Sequence, residues 1–241
     1  MQPTSLSAAI VAELRDEILR GQYRSGERLP SERDLAERFS VHRGAVREAL
    51  KHLEQLGLAD IRPGGSRVAP VEHASLDVIE HLLGLEDPPD AEMVDQVLEA
   101  LSGLFMMSAR LCAERATDAQ RTVIYELVER LLSPDVDMNE RVRLTRELGD
   151  RFVEASENLV LQMIRRGMKT QFMDRLPVPN ISAPHTIRAP HLHRLCHALE
   201  TRDGAAASEA IYELTRAIRK HTLDSITAER DLRAAAGSRT A

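Results

Sequence analysis

The sequence of 241 residues contains no tryptophan, 3% aromatic residues and only two cysteines, Cys112 and Cys196. Sparse aromatics leave the core to aliphatic side chains and methionine, and abundant leucine and alanine favour helices. Neither cysteine stands in a CxxC or CxxH pattern, which argues against a zinc ribbon and a disulfide framework. No apolar run approaches the roughly 18 residues of a membrane span, and acidic residues interrupt the N-terminal apolar stretch, unlike in a signal peptide. We therefore expect a mainly helical, cytoplasmic protein without membrane contact.

The charge is distributed unevenly along the chain. The net charge of −6 opposes a general affinity for nucleic acid, but residues 1–70 hold eleven basic against ten acidic residues. The length favours two domains. We predict an N-terminal domain at 1–70, a second domain at 75–230 and a flexible tail at 231–241.

The N-terminal part reads as three helices followed by a hairpin. Apolar residues four apart over residues 5–20 predict an amphipathic helix. Ser31 and Asp34 have the spacing of a capping box, which opens a second helix. A third helix ends at Gly57, and the stretch LADIRPGGSRVAP predicts two short strands around a Pro-Gly-Gly turn. Two helices separated by only a few residues favour a helix-turn-helix.

The third helix has the chemistry of a recognition helix. Arg43 and Arg47 are four residues apart in its first turns, so both point to one side. That part of a recognition helix meets base edges in the major groove, where the planar arginine fork binds guanine O6 and N7. Gly44 has no side chain and lets the backbone approach the sugar-phosphate chain.

Further candidates for DNA contact flank this helix. Ser31, Arg33 and Arg38 can reach phosphates from the preceding helix. The hairpin tip with Gly64, flanked by Arg67, can lie along a minor groove. Any one of these arginines, taken alone, is more often part of a solvated surface. The combination of three helices, a basic third helix and a glycine-tipped hairpin favours DNA binding.

The same residues resemble a known family. The stretch from LRDEILRG to GGSRV resembles the winged helix-turn-helix of GntR-type bacterial transcription regulators, through G-x-x-L-P-S-E-R-x-L-A and R-x-x-V-R-E-A-L-x-x-L-x-x-x-G-L. The resemblance implies that Arg33, Arg43 and Arg47 contact DNA and that Gly64 is the wing glycine. The chain departs from the family at His42, where a serine or threonine usually caps the helix, and at Gly44 and Ala45, usually small hydroxyl residues. We therefore expect a weaker cap.

The remainder shows only helical patterns, which predict six or seven helices. ARLCAERAT, EASEN and IYELTRAIRKH are similar to the ligand domain of the FadR subgroup of that family. The resemblance implies that residues 75–230 form an antiparallel helical bundle for effector binding and dimerisation, in which a small molecule switches repression or activation. It also implies a homodimer that presents two recognition helices to a palindromic operator in double-stranded DNA.

Many members of that subgroup hold a divalent metal through Asp-x-x-x-His and two later histidines. Here those positions fall on Thr145, Gly149, a site at or beside Leu192, and a site near Leu214, so we predict no metal cofactor. A displaced site remains the alternative, and with it a metal-dependent sensor of a carboxylate metabolite. Its ligands would be Asp150, Glu154, His193, His197 and His221.

Two helices rich in methionine favour an adaptable apolar pocket, to which Met107 and Met163 also belong. ALSGLFMMSAR and EASENLVLQMIRRGMK look closer to the fatty-acid-responsive, metal-free branch, which implies a long-chain fatty acyl thioester such as acyl-CoA. The predicted effector-binding residues are Leu101, Phe105, Met106, Met168 and Phe172. The basic candidates for its polar head are Arg165, Arg166, Lys169 and Lys220.

Two other classes of function are alternatives to a regulator. An enzyme with a fused DNA-binding module is disfavoured, because the sequence has no nucleophile-base pattern, glycine-rich phosphate loop or HExxH. A scaffold whose winged helix binds protein would show no salt-dependent operator binding. We therefore predict a regulator and not an enzyme.

Overall fold

The protein is described by a computed structural model over residues 6–168 and 184–237. It divides into two compact units, of which the first contains the described residues up to Asp87 and the second those from Pro88 onward. Helices dominate, and the only sheet within the described ranges is a two-stranded hairpin. The predicted mainly helical fold, with an N-terminal winged helix-turn-helix and a helical second part, is confirmed.

The first unit is a three-helix core with a wing. Leu14, Leu35 and Leu53 are fully buried in one cluster, to which each of the first three helices contributes an apolar stripe. Burying side chains of this size stabilises the unit by roughly 1.5–3 kcal/mol each. Its elements are α1 (Leu6–Leu19), α2 (Glu32–Arg38), α3 (Arg43–Gln55), β1 (Ala59–Arg62), β2 (Gly65–Val68) and α4 (Val78–Leu83).

The turn chemistry of this unit follows the sequence closely. Gly57 adopts a left-handed φ of +72°, and a Cβ there would collide with the His73 carbonyl, so glycine is required after α3. Strands β1 and β2 pair antiparallel with Arg62 opposite Gly65, which leaves Pro63 and Gly64 as the two-residue turn. The predicted hairpin and the glycine stop of α3 are therefore confirmed.

Helix α4 belongs to the first unit. Val78 is buried in the cluster of the winged helix, and His81 Nε2 lies 3.0 Å from Arg15 Nη1 on α1. Arg20 also donates to the Leu85 carbonyl at 2.9 Å. The sequence periodicity counted this helix with the second domain, but contacts with α1 group it with the first.

The second unit is built from helices alone. Ile124, Leu195 and Leu199 are fully buried in its main cluster. The hydroxyls of Ser102 and Thr215, 2.5 Å apart, join its first helix to its last. Within the described ranges, no helix is long and apolar enough to cross a membrane. The elements are α5 (Ala91–Arg115), α6 (Asp118–Leu132), α7 (Met138–Ala155), α8 (Leu159–Met168), α9 (His185–Glu200) and α10 (Gly204–Gly237).

Helix α10 continues beyond its predicted end at residue 229. It reaches Gly237 and so includes 231–237, the described part of the predicted tail. Three consecutive alanines at 234–236 have the highest helix propensity, and Arg233 binds Glu229 at 2.6 Å one turn earlier. Short-range helix stabilisation outweighs the loss of large apolar residues there.

Both cysteines are reduced and poorly reactive. Cys112 is buried on α5 and Cys196 is half-buried on α9, and neither forms a disulfide. Burial raises the pKa of Cys196 to about 11 and that of Cys112 to about 12. Because the thiolate is the nucleophile, both thiols are unreactive at neutral pH.

Candidate nucleic-acid interface and sensor core

The start of α3 presents two arginines to solvent. The apolar stripe of α3 faces the core, and this leaves Arg43 and Arg47 exposed on the opposite side. Arg47 donates from Nε and Nη2 to Glu32 on α2, at 3.1 and 2.9 Å. The bond from Arg47, together with the charges of Arg47 and Arg43, lowers the pKa of Glu32. A phosphate or a guanine edge can replace this exposed carboxylate, because all are acceptors of the guanidinium fork.

Helix α3 is capped by a histidine side chain. His42 Nδ1 accepts from the Ala45 backbone N–H at 3.1 Å, so an imidazole nitrogen does the work of the usual hydroxyl. A Cβ on Gly44 would lie 3.1 Å from that same nitrogen. The cap is formed because Gly44 leaves room for the His42 ring, and its weakness relative to a hydroxyl cap stays a prediction.

Replacing His42 with alanine is expected to lower the free energy of unfolding by about 1 kcal/mol, the usual value of an N-cap. A serine at this position should retain most of the stability, since its hydroxyl reaches the same N–H. Urea denaturation of the full-length protein followed by circular dichroism measures both. His52→Ala, at an exposed position on the same helix, is the control. A loss for His52→Ala equal to that for His42→Ala would contradict the capping role.

Helix α2 begins with the predicted capping box. The Ser31 hydroxyl donates to Asp34 at 2.7 Å and accepts from the Asp34 N–H at 3.3 Å, which confirms the prediction. Arg33 extends outward, with 75% of its side chain exposed. Arg33 is therefore accessible to a phosphate, whereas the Ser31 hydroxyl already stabilises the helix.

Arg38 does not belong to the DNA-facing set. It bonds to Glu13 at 2.6 Å and to Glu17, two carboxylates one turn apart on α1, and its guanidinium lies 4.9 Å from the centre of the Phe39 ring. The suggested phosphate contact is corrected: Arg38 ties α2 to α1. The acidic pair was visible in the sequence, but its proximity to Arg38 depends on helix packing.

The wing is supported by an arginine that sequence reasoning missed. Arg28 donates to the Gly64 carbonyl, and a Cβ at Gly65 would collide with its guanidinium. Arg67 donates to the Gly26 carbonyl at 2.8 Å, so it braces the base of the wing while remaining exposed. No local signal reveals these bonds, because they join residues far apart in the chain.

A buried arginine lies inside the second unit. Arg165 on α8 donates from Nε to Asp150 at 2.8 Å and from Nη2 to the Arg146 carbonyl at 3.2 Å. Its guanidinium lies 5.4 Å from the centre of the Phe105 ring. A Cβ at Gly149 would stand 2.7 Å from that ring, so the glycine makes space for Phe105.

The predicted effector residues differ in how deeply their side chains are buried. Leu101 and Met168 are buried, and Phe105 and Met106 are half-buried against the main cluster. Phe172 lies outside the described residues. Met107 and Met163, assigned to the same pocket by their methionine character, are 48% and 65% exposed, so that assignment was wrong. Methionine content alone does not show which face of a helix a residue occupies.

Two family models match the chain. The model described as bacterial regulatory proteins of the gntR family matches residues 6–68, and that of the FCD domain matches residues 96–217. The chain belongs to the GntR family. It is a DNA-binding transcription regulator with a C-terminal effector-binding FCD domain, and its relatives are transcription regulators.

The relatives of this GntR regulator include proteins with several named roles. It is 29% identical over 215 residues to the HTH-type transcriptional regulator Mce2R of Mycobacterium tuberculosis, with 87% of this chain and 88% of that protein covered. It is 31% identical over 169 residues to the putative L-lactate dehydrogenase operon regulatory protein of Escherichia coli, with 68% and 64% covered. One similar solved structure is that of Lar, which controls the expression of the agr system of Listeria monocytogenes. The match covers 92% of this chain and 98% of the Lar chain, with 15% identity and a TM-score of 0.56, and it supports the fold.

The metal positions of the subgroup do not fit a metal here. Gly149 and Leu192 are buried without a donor atom, and the Thr145 hydroxyl donates to the Arg141 carbonyl. The space beside Gly149 is taken by the Phe105 ring. These positions therefore do not supply a set of donor atoms for a metal ion.

The alternative ligand set is not brought together either. Asp150 binds Arg165, and the exposed Glu154 binds Arg151 at 2.9 Å. His193 and His197 both point to solvent, and His221 is half-exposed. Among the residues that the structure describes, no group of three or more histidine, cysteine or acidic side chains is placed to hold a metal ion.

Proposed function

We propose that this GntR regulator is a cytoplasmic homodimeric repressor that binds a palindromic operator and releases it when a long-chain acyl thioester, such as acyl-CoA, binds its FCD domain. The observation that carries the DNA-binding role is the exposed pair Arg43 and Arg47 on the first turns of α3, in a unit that also has a glycine-tipped wing. Two copies related by a two-fold axis would match two half-sites of the operator.

The DNA contacts divide by chemistry. Arg43 and Arg47 read base edges, because their forks can each grip a guanine. Exposed Arg33 neutralises a phosphate, and the wing enters the minor groove, where a bare backbone at Gly64 fits closely. The proposed DNA-binding residues are Ser31, Arg33, Arg43, Gly44, Arg47, Gly64 and Arg67.

The effector would lie within the helical unit. Its acyl chain needs apolar surroundings, which Leu101, Phe105 and Met168 supply. Its polar head needs a cation. Of the basic candidates that the structure describes, Arg165 is buried, whereas Arg166 and Lys220 are exposed; Lys169 lies outside the described residues. A buried guanidinium beside an aromatic ring suits the junction between an apolar chain and a polar head.

The test is a gel shift with DNA from upstream of the regulator's own gene. Palmitoyl-CoA at micromolar concentration is expected to release the protein from the DNA, while acetyl-CoA and free coenzyme A are not. The reason is that burial of the acyl chain contributes roughly 0.8 kcal/mol per methylene to binding. Palmitoyl-CoA should also raise the melting temperature of the protein without DNA.

A chelator arm distinguishes the alternative function. EDTA is expected to change neither DNA binding nor the response to palmitoyl-CoA. Release by lactate or another small carboxylate that EDTA abolishes would contradict the acyl thioester and support a metal-dependent carboxylate sensor. Failure to bind any upstream DNA in a salt-dependent manner would contradict the regulator role itself.

A further inference from the structure

Helix α8 carries an apolar face directed away from its own unit. Its inner side packs Leu161 against Leu111 of α5 and Val153 of α7. Its outer side holds two pairs of large apolar residues, and the members of each pair are four apart and therefore adjacent on the helix. They are Leu159, 69% exposed, Val160, 62%, Met163, 65%, and Ile164, 41%.

The apolar surface continues onto α5. Met107 is 48% exposed and lies three residues after Leu104 and four before Leu111. Both of those leucines pack in the cluster of Leu161, so Met107 is on the side of α5 that borders α8. The four outer residues of α8 and Met107 form what we call the α8 patch. It presents on the order of 500 Å² of apolar area, near the upper end of the largest patch on a typical monomer, which is often functional.

We propose that the α8 patch is where two copies of this chain associate, with α8 packed antiparallel against α8 of the second copy. The inference rests on the homodimer proposed above and identifies its surface. A stable interface buries roughly 800 Å² per partner, with an apolar centre and a polar rim. The patch supplies most of that area as the apolar centre.

The charges at the two ends of α8 favour a second copy as the occupant. Glu157, which directly precedes α8, and Arg166, in its last described turn, are both exposed. In an antiparallel pair related by a two-fold axis, the acidic end of each helix lies near the basic end of the other, and the helix dipoles are opposed. The α8 patch lies between these two charged ends and carries no charge itself, so it is complementary to the same patch of a second copy, as a two-fold interface requires.

Sedimentation equilibrium of the full-length protein tests this surface. The wild-type protein is expected to be a dimer, and Val160→Glu or Met163→Glu to weaken the dimer by at least about 100-fold, because each dimer would bury the charge twice. Both positions are exposed in one protomer, so helix content by circular dichroism should be unchanged. Leu232→Glu, at a leucine 72% exposed on α10, is the matched control and should leave the dimer intact.

Cross-linking gives a second measurement that does not depend on weakening the protein. A cysteine at a position near a two-fold axis pairs with its own copy, so Met163→Cys should give a disulfide-linked dimer under mild oxidation. The raised pKa of Cys112 and Cys196 keeps the native thiols unreactive. The wild-type protein under the same conditions is the control.

The outcomes separate the interface from the function. A dimer that survives Val160→Glu and Met163→Glu, with no cross-link at residue 163, would overturn the α8 interface and leave the homodimeric regulator standing. Dissociation by Leu232→Glu alone would also overturn it and place the contact on α10. A wild-type protein that stays monomeric even on operator DNA would overturn both proposals.

Discussion

Replacing Arg47 with alanine is expected to weaken operator binding by at least about 30-fold. A bidentate arginine-guanine pair contributes roughly 1–3 kcal/mol of discrimination, and a dimer would lose two of them. The arginine is already positioned for this role, because the exposed Glu32 holds its guanidinium fork at 2.9 Å. Fluorescence anisotropy with the operator and with unrelated DNA measures the loss, which should be much smaller for unrelated DNA.

Arg143→Ala is the matched control for this result. Arg143 on α7 is an arginine with the same 62% side-chain exposure, and it is also held by surface carboxylates. Its loss should not change DNA affinity. Glu32→Gln removes a negative charge from the interface and should strengthen binding. If Glu32→Gln weakened binding as much as Arg47→Ala, the ion pair would be structural and the base-reading role of Arg47 would be wrong.

Replacing Asp150 with alanine is expected to destabilise the protein by on the order of 3 kcal/mol, because it removes a partner of a buried charge. Arg165 has 5% of its side chain exposed and bonds to Asp150 at 2.8 Å. In a unit of this size, the loss corresponds to a fall of about 10 °C in the melting temperature. Differential scanning calorimetry of the full-length protein measures it.

Two further variants show whether the buried charge is the cause. Asp150→Ala with Arg165→Met should recover much of the lost stability, since the double variant leaves no buried charge. Glu154→Ala, one turn along α7, removes a carboxylate that is 63% exposed and bound to Arg151, and should cost less than about 1 kcal/mol. Equal losses for Asp150→Ala and Glu154→Ala would contradict the role of burial.

The variants of Arg165 and Asp150 also test the proposed effector site. Arg165→Met alone should remove the response to palmitoyl-CoA while operator binding by the first unit is retained. Asp150→Ala would leave the cation but alter its position, so a weakened response is expected. A full response in Arg165→Met would remove Arg165 from the effector site without touching the DNA-binding role.

The local structure of the first unit was predictable because its signals act over a few residues. Ser31 and Asp34 satisfy each other's backbone and side chain within one turn, and Gly57 is needed where the backbone turns left-handed. The Pro63-Gly64 turn places β1 beside β2 in one register. The periodic apolar residues of α3 also determined which face stays outside, and therefore that Arg43 and Arg47 are exposed.

Contacts between distant residues were not predictable in this way. Whether Arg38 meets a phosphate or the carboxylates of α1, and whether Arg28 supports the wing, depends on how elements pack. The same applies to α4. Val78 packs in the core of the first unit, but the apolar periodicity of a helix does not show which unit the helix packs against.

By itself, the sequence determined that this protein is a mainly helical regulator with a winged helix and two outward arginines, since periodicity, caps and turns are properties of neighbouring residues. Tertiary structure alone decided the chemistry of the second unit. It placed Arg165 inside against Asp150 and Phe105, and it left Met107 and Met163 on the surface. The physical reason is that a helix offers several faces, and only the packing of neighbouring helices selects which face is buried.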